Sequence, residues 1–221
     1  MPIAAPARYT NTAIFLHWLI FALIAGGFTL AVYMVDLPLS PRKLTFFSWH
    51  KWIGVTVFML AVVRLAWRLT HPAPALPATM PLWQQRAAAV NLIALYVLIL
   101  VIPPTGWLYS SATGVPTVYL GLVQLPDLLV RDKALAAQLK LVHITLNFTM
   151  LTLVIVHAAA AFKHHFVDRD EVLTRMQESG VKGILAQLLA LQMETYQLED
   201  LFERYYRIER RVGLPDVSES A

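Results

Sequence analysis

Four histidines carry the chemistry that this sequence is equipped to do: His17, His50, His143 and His157. His143 and His157 lie in LKLVHITLNFTMLTLVIVHAAAAFKHHF, residues 139–166, a largely apolar run long enough to cross a bilayer. On an α-helix their fourteen-residue separation is about 21 Å of rise and nearly four whole turns, so the two imidazoles emerge on almost one face, near opposite ends. An ionisable group at membrane depth is costly, and reads as functional when a partner can be named. A lone histidine there serves equally as a satisfied polar group or a proton relay. Four that pair by depth suit a different task, the axial ligation of two haem irons. Ligation by two imidazoles leaves no open position on the iron and favours outer-sphere electron transfer over oxygen binding. A di-metal carboxylate centre is disfavoured, since no Asp or Glu lies inside the apolar runs.

The elements that must position these histidines are membrane helices. With 57% hydrophobic and only 14% charged residues in 221, the chain carries too much apolar surface for one soluble domain. Apolar runs at 14–35, 52–69, 88–109 and 142–165 each approach the length of a span. The first contains His17, lacks a basic leader beyond Arg8 and reaches Asp36-Leu37-Pro38 without a small-residue cleavage pattern, so it is expected to be a retained helix. Thr10, Asn11 or Thr12 can cap it. Alternating passage then puts His17 and His157 at one depth, and His50 and His143 at the other. Gly26-Gly27 offers a site of close approach, and Gly54, one turn after His50, leaves room for a flat macrocycle. The absence of cysteine excludes disulfides, iron–sulfur clusters, zinc–thiolate sites and covalent haem attachment, so any haem is held non-covalently.

Between the spans, THPAPALPATMP reads as a loop, with His71 as a loop residue, and Pro103-Pro104 is expected to break or kink the third helix. Residues 110–138, with VPTVYLGLVQLP, read as a loop lying along the membrane surface as a re-entrant or amphipathic segment. Residues 177–221 read as an amphipathic helix whose polar groups rule out a fifth span. Its stripe over 181–209 suits contact with a second copy, a redox partner or the membrane surface. The expected architecture is an all-α, four-span bundle over 1–176 binding two b-type haems, with a helical extension over 177–221.

Lys and Arg set the orientation. Arg8, Arg64, Arg68, Arg86, Lys163, Arg169, Arg175 and Lys182 fall on the side of the termini, and Arg42, Lys43, Lys51, Arg131, Lys133 and Lys140 on the other. Arg204, Arg207, Arg210 and Arg211 of the tail widen that bias, which places both termini in the cytoplasm. The net charge of +4 has no basic–aromatic stripe behind it, so lipid is the expected anionic contact and nucleic acid is not.

RYTNTAIFLHW, WHKWIGVTVFMLAVVRLAWR, IPPTGWLYS and LKLVHITLNFTMLTLVIVHAAAAFKHHFVDRDEVLTRM, in this order, resemble the bacterial cytochrome b561 family of di-haem inner-membrane proteins over about residues 7–176. The resemblance implies that His17 with His157, and His50 with His143, bind two b-type haems, and that a quinone is an electron partner. It includes members that oxidise periplasmic superoxide and reduce ubiquinone. Where some relatives carry a further histidine in the third span, this chain has Asn91.

Charge and stoichiometry suit that activity. Six outer basic residues face Asp36, Asp127 and Asp132, a surplus that would concentrate an anion. Arg131, Lys133 and Lys140 approach His143 and are the expected funnel; lipid headgroups and haem propionates are the competing partners. Lys51 is placed to pair with a propionate of the outer haem. His164 and His165 are candidates for proton delivery to the quinone, or simply interfacial histidines. The alternative function is a non-catalytic cytochrome subunit that passes electrons between a dehydrogenase or hydrogenase and the quinone pool.

Overall fold

The computed structural model describes residues 8–77, 80–170 and 172–176, all within one compact unit, Met1–Gln177. The extension expected over 177–221 lies outside the described residues. Four long helices, α1 (Asn11–Val35), α2 (Pro41–Thr70), α3 (Leu82–Thr113) and α4 (Lys133–Lys163), form the unit. Each is long and apolar enough to cross a membrane. Large apolar side chains such as Phe15, Phe21, Met59, Ile93 and Ile155 face outward, as a hydrocarbon solvent requires.

The helices begin earlier than the apolar runs, because their start signals lie outside hydrocarbon. Thr10 Oγ1 accepts from the Ala13 amide, which selects Thr10 among the three expected caps. Ser40 accepts from the Lys43 amide with Pro41 in the first turn, so α2 starts at 41 rather than 52. Asp132 accepts from the Ala134 and Leu135 amides at 2.8 and 3.1 Å and starts α4 at 133 rather than 142. Thirty residues of α2 are about 45 Å long, against roughly 30 Å of hydrocarbon, so its end turns project into the interfaces.

Pro103 and Pro104 do not break the third helix, since α3 runs through both. Each removes one amide donor without ending the helix, as spans tolerate when neighbouring groups re-satisfy freed carbonyls. Thr105 Oγ1 contributes locally by donating to the Ile102 carbonyl at 2.7 Å. The 110–138 segment is not a re-entrant or amphipathic stretch but a short antiparallel hairpin, β1 (Thr117–Tyr119) with β2 (Val123–Leu125). Leu120 and Gly121, both at positive φ, turn the chain there. Trp52 Nε1 donates to the Val118 carbonyl at 2.6 Å, and Thr56 meets Tyr119 Oη at 3.0 Å, so the hairpin lies against the N-terminal half of α2.

Packing follows chain order: α1 against α2, α2 against α3, α3 against α4. Gly27 admits Ile53 so closely that a Cβ there would lie 3.0 Å from Cγ2. Leu98, Ile102 and Met150 centre the seam between α3 and α4. By contrast, α4 makes no extended backbone contact with α1 or α2. Side chains cross that gap: Phe28 meets Phe148 edge-to-face at 5.7 Å, and the histidines meet at either end.

Candidate functional site

The four histidines form two pairs across the gap between α4 and the α1–α2 pair. His17 faces His157, and His50 faces His143, each with ring centres 6.3 Å apart. Two imidazoles that bind one metal ion from opposite sides at about 2 Å, each ring centre about 1.1 Å behind its nitrogen, stand roughly 6 Å apart. Both pairs have that spacing.

Local hydrogen bonds orient His50 and His143. His50 Nδ1 lies 3.0 Å from the Gly27 carbonyl, which can only accept, so Nδ1 carries the proton and Nε2 keeps its lone pair. His143 Nδ1 lies 3.0 Å from Thr105 Oγ1. Since that hydroxyl donates to Ile102, it accepts from Nδ1–H, and Nε2 of His143 is likewise free to ligate. A metal-binding histidine needs this arrangement. Gly54, one turn after His50, has no neighbouring atom within 4 Å of where a Cβ would stand, which leaves open space on that side of α2; Gly26 faces out of the bundle. The donor set, the spacing and the separation of α4 from α1 and α2 fit a b-type haem at each pair.

Gly106 is a participant that sequence reasoning missed. A Cβ on it would lie 2.9 Å from His143 Cε1. Alanine normally stabilises a helix interior relative to glycine by about 0.5–1 kcal/mol. Gly106→Ala is therefore expected to keep or raise the thermal stability of the helices by circular dichroism while displacing the His143 ring. Absorbance titration should show loss of the haem that His143→Ala also loses; full retention of both haems would remove Gly106 from the site.

Arg131, Lys133 and Lys140 come together as expected. With Tyr109, Thr113 and the alanines of α4 they line a cavity of about 210 Å³ where the end of α3 meets the start of α4. Lys140 stands about one turn before His143, and Tyr109 about one turn beyond Gly106, so the cavity lies about one helical turn from His143 along the seam. Lys51 instead donates to the carbonyls of Val115 and Pro116 at 3.3 and 3.2 Å, fastening the segment that leads into the hairpin.

At the opposite end α4 passes into a π-helical turn, His164–Asp168. His164 Nδ1 meets Asp170 at 2.7 Å and Asp168 at 3.1 Å, while Lys163 pairs with Asp168 at 2.6 Å. His165 is not part of that cluster; its ring lies against Phe166. His71 is more than a loop residue: its ring stacks on Trp67 at 3.9 Å and closes the end of α2. Asn91 donates weakly to the Leu153 carbonyl, and its buried Oδ1 has no protein partner among the described residues.

Comparison with known proteins follows the same lines. The family described as prokaryotic cytochrome b561 matches residues 8–178. Cytochrome b561 homolog 2 of Escherichia coli K12 is 34% identical over 179 residues, covering 77% of this chain and 92% of that protein. Cytochrome b561 homolog 1 of the same organism is 28% identical over 170 residues, 76% of this chain and 96% of the relative. A probable superoxide oxidase, CybB, of Yersinia pestis is 27% identical over 175 residues, 76% of this chain and 95% of the relative.

Proposed function

The chain belongs to the prokaryotic cytochrome b561 family of membrane electron-transfer proteins with b-type haem, and on that premise we propose that it oxidises superoxide at the outer face and reduces ubiquinone. The observation that carries the reading is the cationic cavity of Arg131, Lys133 and Lys140, about one helical turn from His143. The probable superoxide oxidase of Yersinia pestis adds to it.

Two b-type haems, one between His50 and His143 and one between His17 and His157, supply one-electron carriers at the two depths. The chain's residues do the rest. Arg131, Lys133 and Lys140 draw the anion toward the His143 end, with both termini in the cytoplasm. Each of two superoxide ions loses one electron and leaves as dioxygen. One ubiquinone takes the two electrons and two protons and leaves as ubiquinol. His164, whose Nδ1 lies 2.7 Å from Asp170 and 3.1 Å from Asp168, offers a second ring nitrogen from which a proton can be relayed toward the quinone. His165 is a second proton carrier at that interface. Lys51, beside His50, adds charge at the outer mouth while its ammonium holds the Val115 and Pro116 carbonyls. Lipid surrounds the bundle in the bacterial inner membrane, and residues 181–209 serve a second copy or a redox partner.

The test mixes the purified protein with superoxide under stopped flow. Rapid haem reduction, followed by reoxidation on adding ubiquinone, is expected. Haems that stay oxidised through a superoxide pulse would exclude the proposal and leave the electron-transfer subunit as the reading.

A further inference from the structure

Arg64 has no use in the function so far described, yet it is the cation set deepest on the cytoplasmic half of α2. It follows His50 by fourteen residues, the separation that also divides His143 from His157. The helical repeat therefore carries it about 21 Å along α2, back to nearly the same face and to the depth of the other histidine pair. Its Nη1 donates to the Ala13 carbonyl at 2.7 Å, one turn before His17 on α1. One turn beyond Arg64, Trp67 donates to Thr10 at 2.9 Å, so the α1–α2 contact holds the guanidinium on this side.

What it lacks, among the described residues, is an anion. The four helices contain no Asp or Glu. Among the described residues, the ion pairs involve only Lys163 or His164 with Asp168 or Asp170. A guanidinium has five N–H donors, and one carbonyl does not neutralise it. A half-buried charge in a span needs a counter-charge or a route to water. Two anions are available at this depth: the carboxylates of a haem and a lipid phosphate. Trp67 and Arg68 lie nearer the interface than Arg64 and mark the headgroup level, and the Arg64 side chain is turned inward onto α1. The haem carboxylate is the better match, and an arginine binds it with two parallel hydrogen bonds.

We propose that Arg64 is a cofactor-binding residue that pairs with a carboxylate of the haem held between His17 and His157. This rests on the two-haem reading. A cation beside that haem favours its reduced form, which carries one positive charge fewer.

The test uses full-length protein in nanodiscs, with haem carrying ¹³C in its propionate carboxyls. Arg64→Gln is expected to shift the redox equilibrium of the haem that His157→Ala removes by about tenfold toward the oxidised form, which is 59 mV for one electron. The other haem should keep its potential. Redox-difference infrared spectra should show the labelled carboxylate band move in Arg64→Gln. Arg64→Lys, which keeps the charge without the planar fork, should shift the potential less and still move the band. A carboxylate band unmoved in both variants overturns the proposal. So does a potential shift that appears in anionic lipid and vanishes in neutral lipid, since the partner is then a headgroup. Wild-type protein without two low-spin haems fails the underlying reading instead, and is told apart before any variant is made.

Discussion

His50→Ala and His143→Ala are expected to remove one and the same haem, and His17→Ala and His157→Ala the other. Each variant should fall from two haems per chain to one by pyridine haemochrome assay, and the two members of a pair should leave the same spectrum and the same remaining potential. The reason is geometric, for each pair stands at the spacing of two ligands on one iron, and the pairs lie at opposite ends of α4. Losing one imidazole abolishes the ligation by two imidazoles that makes the iron low-spin. Because pair members act as a unit, His50→Ala with His143→Ala should lose no more than either alone. His50→Ala with His157→Ala should lose both haems. A crossed pattern, in which His17 and His143 lose the same haem, would contradict the topology.

The histidine pairing was legible in the sequence because it depends on periods that sequence displays directly. Span length is set by the bilayer, and fourteen residues on a helix fix both rise and azimuth. Alternating passage then assigns each histidine a depth without any tertiary detail. What holds the histidines was less legible. Thr105 and Gly106 follow the proline pair in IPPTGWLYS, and prolines inside a span predict disruption. Nothing local announces that the next two residues lie against a histidine 37 or 38 positions later; only the packing of α3 on α4 does so. The outer hairpin was hidden for a related reason. VPTVYLGLVQLP is apolar throughout rather than alternating, and its turn places Leu120, a residue rarely found at positive φ, before Gly121. Arg64 illustrates a third limit. In sequence it reads as one more basic residue at a helix end, and only the absence of an ion-pair partner for it among the described residues makes it a question.

The second large effect concerns how fast superoxide arrives. Neutralising the cavity together, with Arg131→Gln, Lys133→Gln and Lys140→Gln, is expected to lower the second-order rate of haem reduction by superoxide about tenfold or more at low ionic strength. The deficit should shrink as salt is added, because at about 0.15 M the screening length is near 8 Å and the native funnel weakens as well. Reoxidation by ubiquinone should be unchanged, since the three residues lie on the opposite side from His157 and His164. The set works better than any single change, because the three cations share one cavity of about 210 Å³ and remaining charges compensate for one lost. Glutamine at 131 also preserves packing: the Arg131 stem stands 3.1 Å from where a Cβ on Gly114 would lie. Lys51→Gln provides the contrast. Its ammonium is engaged with the carbonyls of Val115 and Pro116, so its loss should loosen the hairpin anchor more than it slows the anion. If the triple variant reacts with superoxide as fast as the native protein at every ionic strength, the cavity does not steer the anion, and its cations hold lipid headgroups instead.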